Sequence, residues 1–96
     1  MLIARVVGSA VSTAKDERLT GLKLLVVREA TPSDELVGDP FIAADAAGAG
    51  EGELVIVARG SAARQTALTE GRAVDAAIVG ILDSLEVEGR DTYTKQ

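Results

Sequence analysis

Apolar residues in this chain alternate with others in short runs instead of recurring every third or fourth position, so the pattern predicts strands. Residues 2–13 place Leu2, Ala4, Val6, Gly8 and Ala10 on one face and Ile3, Arg5, Val7 and Val11 on the other. Residues 14–20 are charged and read as a loop, after which Gly21 opens a second strand. In that strand Leu22, Leu24 and Val26 share one face, and Lys23 lies opposite among Leu25 and Val27. Both faces of both strands are more apolar than the outer surface of a monomer requires. Residues 30–40 collect Pro32, Gly38, Pro40 and several acids and predict a surface connection. A short third strand over 41–45 runs into Gly48, Gly50 and Gly52, and a fourth restarts over 53–59. Ser61 is positioned to cap a two-turn helix over 61–68 that Gly71 ends. Residues 74–85 read as a fifth and longest strand, with Gly80 marking a bend or bulge. The tail turns at Glu88 and Gly89, and residues 91–95 either add an edge strand or end as a frayed terminus. Five short strands with one short helix between the fourth and fifth predict an all-β fold, a small closed or partly open barrel. No internal repeat or second domain is visible, so residues 1–96 form one domain.

The glycine corner is the stretch on which the rest turns. Alternating glycines can reach positive φ and let the chain turn tightly or another backbone approach closely. A dinucleotide-binding loop would need glycine where Glu53 stands and a helix afterwards, whereas residues 54–57 are strand-like. No Gly-Lys-Ser/Thr follows either, so a phosphate loop is excluded. The corner reads as structural.

Composition sharpens this picture. In 96 residues, 47% hydrophobic with only Phe41 and Tyr93 as aromatics, there is little core to spare and a surplus of aliphatic surface. With no disulfide or metal to staple the chain, association with copies of itself is the expected remedy. The absence of cysteine and histidine removes disulfides, thiolate nucleophiles, the usual zinc ligands and the commonest proton-transfer group. No cofactor is expected. No apolar run reaches the length needed to cross a membrane and no signal sequence is visible, so a soluble cytosolic protein is the simplest reading. The net charge of −5 is unevenly spread: residues 1–28 carry +3 and residues 29–96 carry −8. If the two regions occupy different sides of a subunit, head-to-tail contact between copies is favoured.

Three functional classes compete for these residues. A small carboxylate hydrolase could draw on Asp45, Asp75 and Asp83 near strand ends, or on Glu51 and Glu53 flanking a glycine, but no acidic dyad motif is present. Aspartates at strand ends more commonly accept hydrogen bonds from loop amides. A barrel binding single-stranded nucleic acid would want a positive groove and aromatic platforms, which an acidic chain with two rings supplies poorly. Ser12, Thr13, Lys15 and the corner amides could instead hold an anion. Lys23, among apolar neighbours, fits an ion pair at a subunit contact, with Glu53 as a candidate partner. A structural, self-associating module fits best.

Five strings, in this order and spacing, carry a resemblance over nearly the whole length: ARVVGSAVST followed by Lys15; LTGLKLLVV over 19–27; Asp45 with GAGEGELV over 48–55; GSAARQ over 60–65; and VDAAIVGILD over 74–83. Together they make the chain similar to the pentameric vertex proteins of bacterial microcompartment shells, the EutN/CcmL-type family, with members from diol- and ethanolamine-type compartments nearest in pattern. The departures are Ala14 and Asp16 in a loop, the charged 30–40 connection and a polar tail over 86–96. The resemblance implies a five-stranded, oligonucleotide-binding-like (OB-like) barrel without nucleic-acid function. It implies a homopentamer that plugs the vertices of a polyhedral shell, with hexameric and pseudohexameric shell proteins as partners, in the bacterial cytoplasm. It further implies that Gly48, Ala49, Gly50, Glu51, Gly52 and Glu53 lie near the subunit contact or the five-fold axis, with Thr13, Lys15 and Lys23 as further contact residues and no catalytic or metal site.

Overall fold

The alternation carries through into seven strands in the computed structural model, which describes residues 1–11, 21–72 and 74–95. Five of them, β1 (Leu2–Ala10), β2 (Leu24–Glu29), β3 (Phe41–Asp45), β4 (Leu54–Arg59) and β5 (Ala76–Ile81), close into a barrel in the order β1-β2-β3-β5-β4. Pairing is antiparallel throughout except between β3 and β5, where Ala44 and Asp45 run parallel to Ala77 and Ile78. This is the predicted all-β barrel, and closure leaves it no free sheet edge. β6 (Ser84–Val87) and β7 (Arg90–Thr94) form a separate two-stranded hairpin.

The interior is small and aliphatic. Ala4, Val6, Leu25, Val27, Ala43, Val55, Val57 and Ile78 fill it, each on the inward side of its strand. Valine suits this space because its branched side chain is stiff and packs well on a pleated surface. Lys23, two positions before Leu25 and just before β2 begins, is exposed. A second cluster lies outside the barrel wall: Ala44 and Ala77, with Leu24 beside them, are covered by Ala63 and Val74.

Two bulges alter the simple alternation. In β1 the register shifts between Val6 and Gly8, so that Val6 pairs with Val27 but Gly8 pairs with Val26. The expected face of Leu2, Ala4, Val6, Gly8 and Ala10 therefore breaks at Val7, and Gly8 moves to the outer wall, where a Cβ would lie 3.7 Å from that of Val26. In β5 the expected irregularity at Gly80 is present: Ile56 pairs with Gly80 and Val57 with Ile78, leaving Val79 as the extra residue. Bulges of this kind bend a strand and strengthen its twist, which a barrel of only five strands needs.

Three boundaries differ from expectation. The short helix between β4 and β5 is present as a 3-10 turn, Gly60–Arg64, in place of two turns over 61–68, and it is entered from an extended Arg59 with no side-chain cap. Helix does not propagate because the Thr66 hydroxyl accepts from the Thr69 amide at 3.0 Å and meets the Thr69 hydroxyl at 2.6 Å, closing a local turn in its place. The long fifth strand ends at Ile81, where Leu82 donates a last hydrogen bond to Leu54 at 2.9 Å and the chain leaves the barrel. The tail is neither frayed nor an added barrel edge. It folds back on β6 through Glu88 and Gly89, both at positive φ, the conformation a two-residue hairpin loop demands.

Candidate functional site

Asp45 organises the glycine corner. Its carboxylate is buried at the end of β3 and accepts from the amides of Ala47, Gly48 and Ala49 at 3.0–3.2 Å, with Ala49 reaching both oxygens. One of the carboxylates considered for acid–base chemistry is thus committed to the backbone, as strand-end aspartates commonly are. Lys23 reaches across to the same group, with Nζ 3.6 Å from Asp45 Oδ2 and 3.2 Å from the Ala49 carbonyl. Within one protomer, then, Lys23 pairs with Asp45 and not with Glu53. Sequence reasoning placed Lys23 and Asp45 on neighbouring strands but had no signal for their register, which β2–β3 pairing sets.

Gly48 and Gly52 sit at φ 77° and 87°, where a side chain would be strained. Gly50 differs: its φ is ordinary, but a Cβ there would come within 3.3 Å of Glu53 Oε1. That oxygen accepts from the Gly50 amide at 2.5 Å, so Glu53 folds back over the corner that precedes it. Gly52 closes the far side, donating to the Val6 carbonyl at 2.8 Å, while Glu53 accepts through its own carbonyl from the Val6 amide at 2.9 Å. Gly48, Ala49, Gly50, Gly52 and Glu53 are therefore one hydrogen-bonded unit spanning β3, β1 and β4, with Glu51 exposed at its tip. Thr13 and Lys15 lie outside the described residues.

The hairpin is fastened to this unit. Lys95 Nζ lies 2.9 Å from Glu53 Oε2, Thr92 donates to the Pro32 carbonyl at 2.5 Å, and Arg5 stacks its guanidinium 5.7 Å from the Tyr93 ring centre. Arg5 also donates to the Gly52 carbonyl at 2.7 Å and pairs with Asp34. Between corner and hairpin these groups line a cleft of about 450 Å³. Four of its charges are matched in pairs, Arg5 with Asp34 and Lys95 with Glu53, beside the exposed Glu51, which makes it a clasp. The hydrogen bond and ion pair with Lys95, followed by the Gly50 amide, hold the Glu53 carboxyl below its usual range, and the same partner raises the Lys95 ammonium above its own. Because the folded-state value of Glu53 is depressed, its contribution is complete above the ordinary carboxylate range and is lost as pH falls through the lowered value. Lys95 is charged throughout that window. Protection of the backbone amides of residues 84–95, taken relative to the intrinsic exchange rate at each pH, should consequently be lower at a pH below the lowered Glu53 value than at pH 7, with protection of the barrel strands retained; equal protection at both would show that the clasp is held by other contacts.

Neither aromatic ring is a free stacking platform. Phe41 packs against the core and carries the Arg59 guanidinium 4.6 Å from its centre, and Tyr93 is engaged by Arg5. Among the described residues no three carboxylates converge as metal ligands would. No helix among them is long and apolar enough to cross a membrane.

A closed barrel whose corner carboxylates hold its own backbone, and whose outer wall keeps apolar residues, belongs to the class of structural contact modules. The chain belongs to the family described as ethanolamine utilisation protein EutN/carboxysome, whose model matches residues 1–83. It is 46% identical to the carboxysome shell vertex protein CcmL of Nostoc sp., over all of this chain and 96% of that one. The solved structure of that CcmL superposes with a TM-score of 0.91, covering 99% of this chain and 100% of the other. A pentameric microcompartment shell protein, GrpN of Rhodospirillum rubrum, is 45% identical with a TM-score of 0.82, covering 91% of this chain and 99% of its own. Of the diol- and ethanolamine-type members that the sequence pattern suggested, identity ranks the ethanolamine one lower: EutN of Escherichia coli, matched over 99% of this chain and all of its own, is 36% identical, below the carboxysomal relative.

Proposed function

We propose that this chain is a structural vertex protein of a bacterial microcompartment shell, acting as a ring of five identical subunits that caps the corners of a polyhedral particle in the bacterial cytoplasm. The observation that carries this reading is full-length similarity to vertex proteins of the same fold, one of them described as pentameric. A ring follows when one head-to-tail contact repeats through a fixed rotation until it closes. Five-fold closure supplies curvature that a flat layer of hexagonal tiles lacks, so the neighbours of the ring would be hexameric and pseudohexameric shell proteins. The role is contact and closure, not catalysis. Native mass measurement at micromolar concentration should find a five-subunit species, and a folded monomer as the sole species would remove the reading. Co-expression with hexagonal shell proteins, with and without this chain, should give closed particles only in its presence.

The glycine corner is assigned to the neighbourhood of the subunit contact or five-fold axis, together with Lys23, Thr13 and Lys15. What supports this for the corner is its rigidity, since Asp45 and Glu53 fix it from both ends. In Gly50→Val the added methyls displace the Glu53 carboxylate from the Gly50 amide and disturb the pair with Lys95. The expected outcome is loss of the five-subunit species with barrel circular dichroism retained. An intact pentamer in this variant would move the contact elsewhere.

A further inference from the structure

Two rows of residues on the outer barrel wall share an unusual design. On one flank Gly8, Val26 and Ile42 lie in register across β1, β2 and β3. On another, Ile3, Ile56 and Gly80 lie in register across β1, β4 and β5. Each row contains a glycine at a Val-Gly bulge whose missing side chain leaves a notch beside a branched aliphatic residue, Val26 in the first and Ile56 in the second. Each bulge also turns its valine outward, so that Val7 and Val79 are both exposed. Neither row contributes to the barrel interior.

Among the described residues nothing covers the first row. The outer wall one step along, at Leu24, Ala44 and Ala77, is roofed by Ala63 and Val74, but the roof stops before Val26 and Ile42, and Ile42 remains 46% exposed. The second row borders an apolar groove of about 340 Å³ lined by Met1, Leu2, Ile3, Ile56, Leu82 and Leu85, with the base of the β6–β7 hairpin as one wall. One feature projects and the other is concave. Charge agrees in sense: Arg28 follows Val26 on the outer side of β2, whereas Asp83 and Glu86 stand exposed beside Leu82 and Leu85.

We propose that the occupant of the groove is a second copy of this chain, presenting its Val7, Val26 and Ile42 surface, and that this is the repeating contact of the ring. The proposal rests on the five-subunit reading and specifies its interface. A closed ring requires two different faces on every subunit, one projecting and one receiving. These two flanks are different, both apolar, and centred on β2 and β4, which β1 separates on one side of the barrel and β3 and β5 on the other. Contact between them would bury aliphatic surface at its centre and leave Arg28, Asp83 and Glu86 at the rim, the usual arrangement of an interface.

The test uses Ile42→Asp, at a site exposed enough for the barrel to tolerate it, and Leu85→Asp on the opposing face. Leu36→Asp in the 30–40 connection, exposed but on neither face, serves as control. Each face variant should raise the concentration needed for assembly by about tenfold or more, with far-UV circular dichroism unchanged. Mixing the two at high concentration should yield a 1:1 pair that goes no further, because each retains the face the other lacks. Pentamers of normal stability in Ile42→Asp, equal weakening in the control, or no 1:1 species on mixing would overturn the assignment. A variant that stays pentameric but no longer closes shells would give the face to a hexagonal tile and also overturn it. A wild-type chain that is monomeric throughout would instead remove the ring itself.

Discussion

Replacing Asp45 with alanine should destabilise the protein by about 2–4 kcal/mol, because one buried carboxylate satisfies several backbone donors at once. The amides of Ala47, Gly48 and Ala49 all point at it, and Ala49 is itself buried, so water cannot freely take the place of the lost acceptor. Lys23 would lose its charge partner in the same step. Asp45→Asn keeps one acceptor oxygen and should cost roughly half as much, since the charge-assisted part of the interaction disappears while one or two hydrogen bonds survive. Chemical denaturation at fixed protein concentration reads both values. An alanine variant within ~0.5 kcal/mol of wild type would mean that the corner holds its shape without Asp45. Because the corner joins β3 to β1 and β4, the same variant should also weaken assembly, by a larger factor than its stability loss alone accounts for.

The second large effect is expected from Ile78→Ala, at about 2–5 kcal/mol. Ile78 and Leu54 are the largest side chains that are fully buried, and Ile78 shares the barrel interior with Leu25 and otherwise only valine and alanine among its buried residues. Ile78 sits at the parallel β3–β5 junction, next to the β5 bulge, and its carbonyl accepts from Ala46 at 3.0 Å. A closed barrel has no mobile sheet edge that could collapse inward, so most of the vacated volume should persist as a cavity. For a domain whose whole stability is on the order of 5–15 kcal/mol, that is a large fraction. The expected reading is a thermal midpoint lowered by roughly 10–20 °C at the same concentration. A change of only a few degrees would show that neighbouring valines repack into the space. Contrast with Val79→Ala isolates the cause, because Val79 is the exposed residue of the same bulge and its truncation should leave barrel stability nearly unchanged.

Several local features needed nothing beyond the chain itself. Five apolar runs separated by turn residues specified five strands, Gly80 marked a bulge, and Glu88-Gly89 marked a turn, because each depends on residues adjacent in sequence. Three alternating glycines between two strands specified a tight corner, for the same reason. A scarcity of aromatic, histidine and cysteine side chains pointed away from chemistry and toward contact.

The tertiary structure decided what depends on partners distant in sequence. The predicted helix gave way to a 3-10 turn because Ala63 had to roof Ala44 and Ala77, and the Thr66–Thr69 hydroxyl pair closed a competing turn. Lys23 found Asp45, and Glu53 found Lys95 across 42 positions of chain, through strand register and hairpin placement that no local pattern encodes. The tail became a clasped hairpin because Thr92, Tyr93 and Lys95 each met a group on the barrel. The β1 bulge moved Gly8 to the outer wall opposite Val26, and only that shift lined up the row ending at Ile42. Periodicity determined which residues were apolar and that strands would hold them. Barrel closure, with its bulges, determined which of them were consumed inside and which were left facing outward.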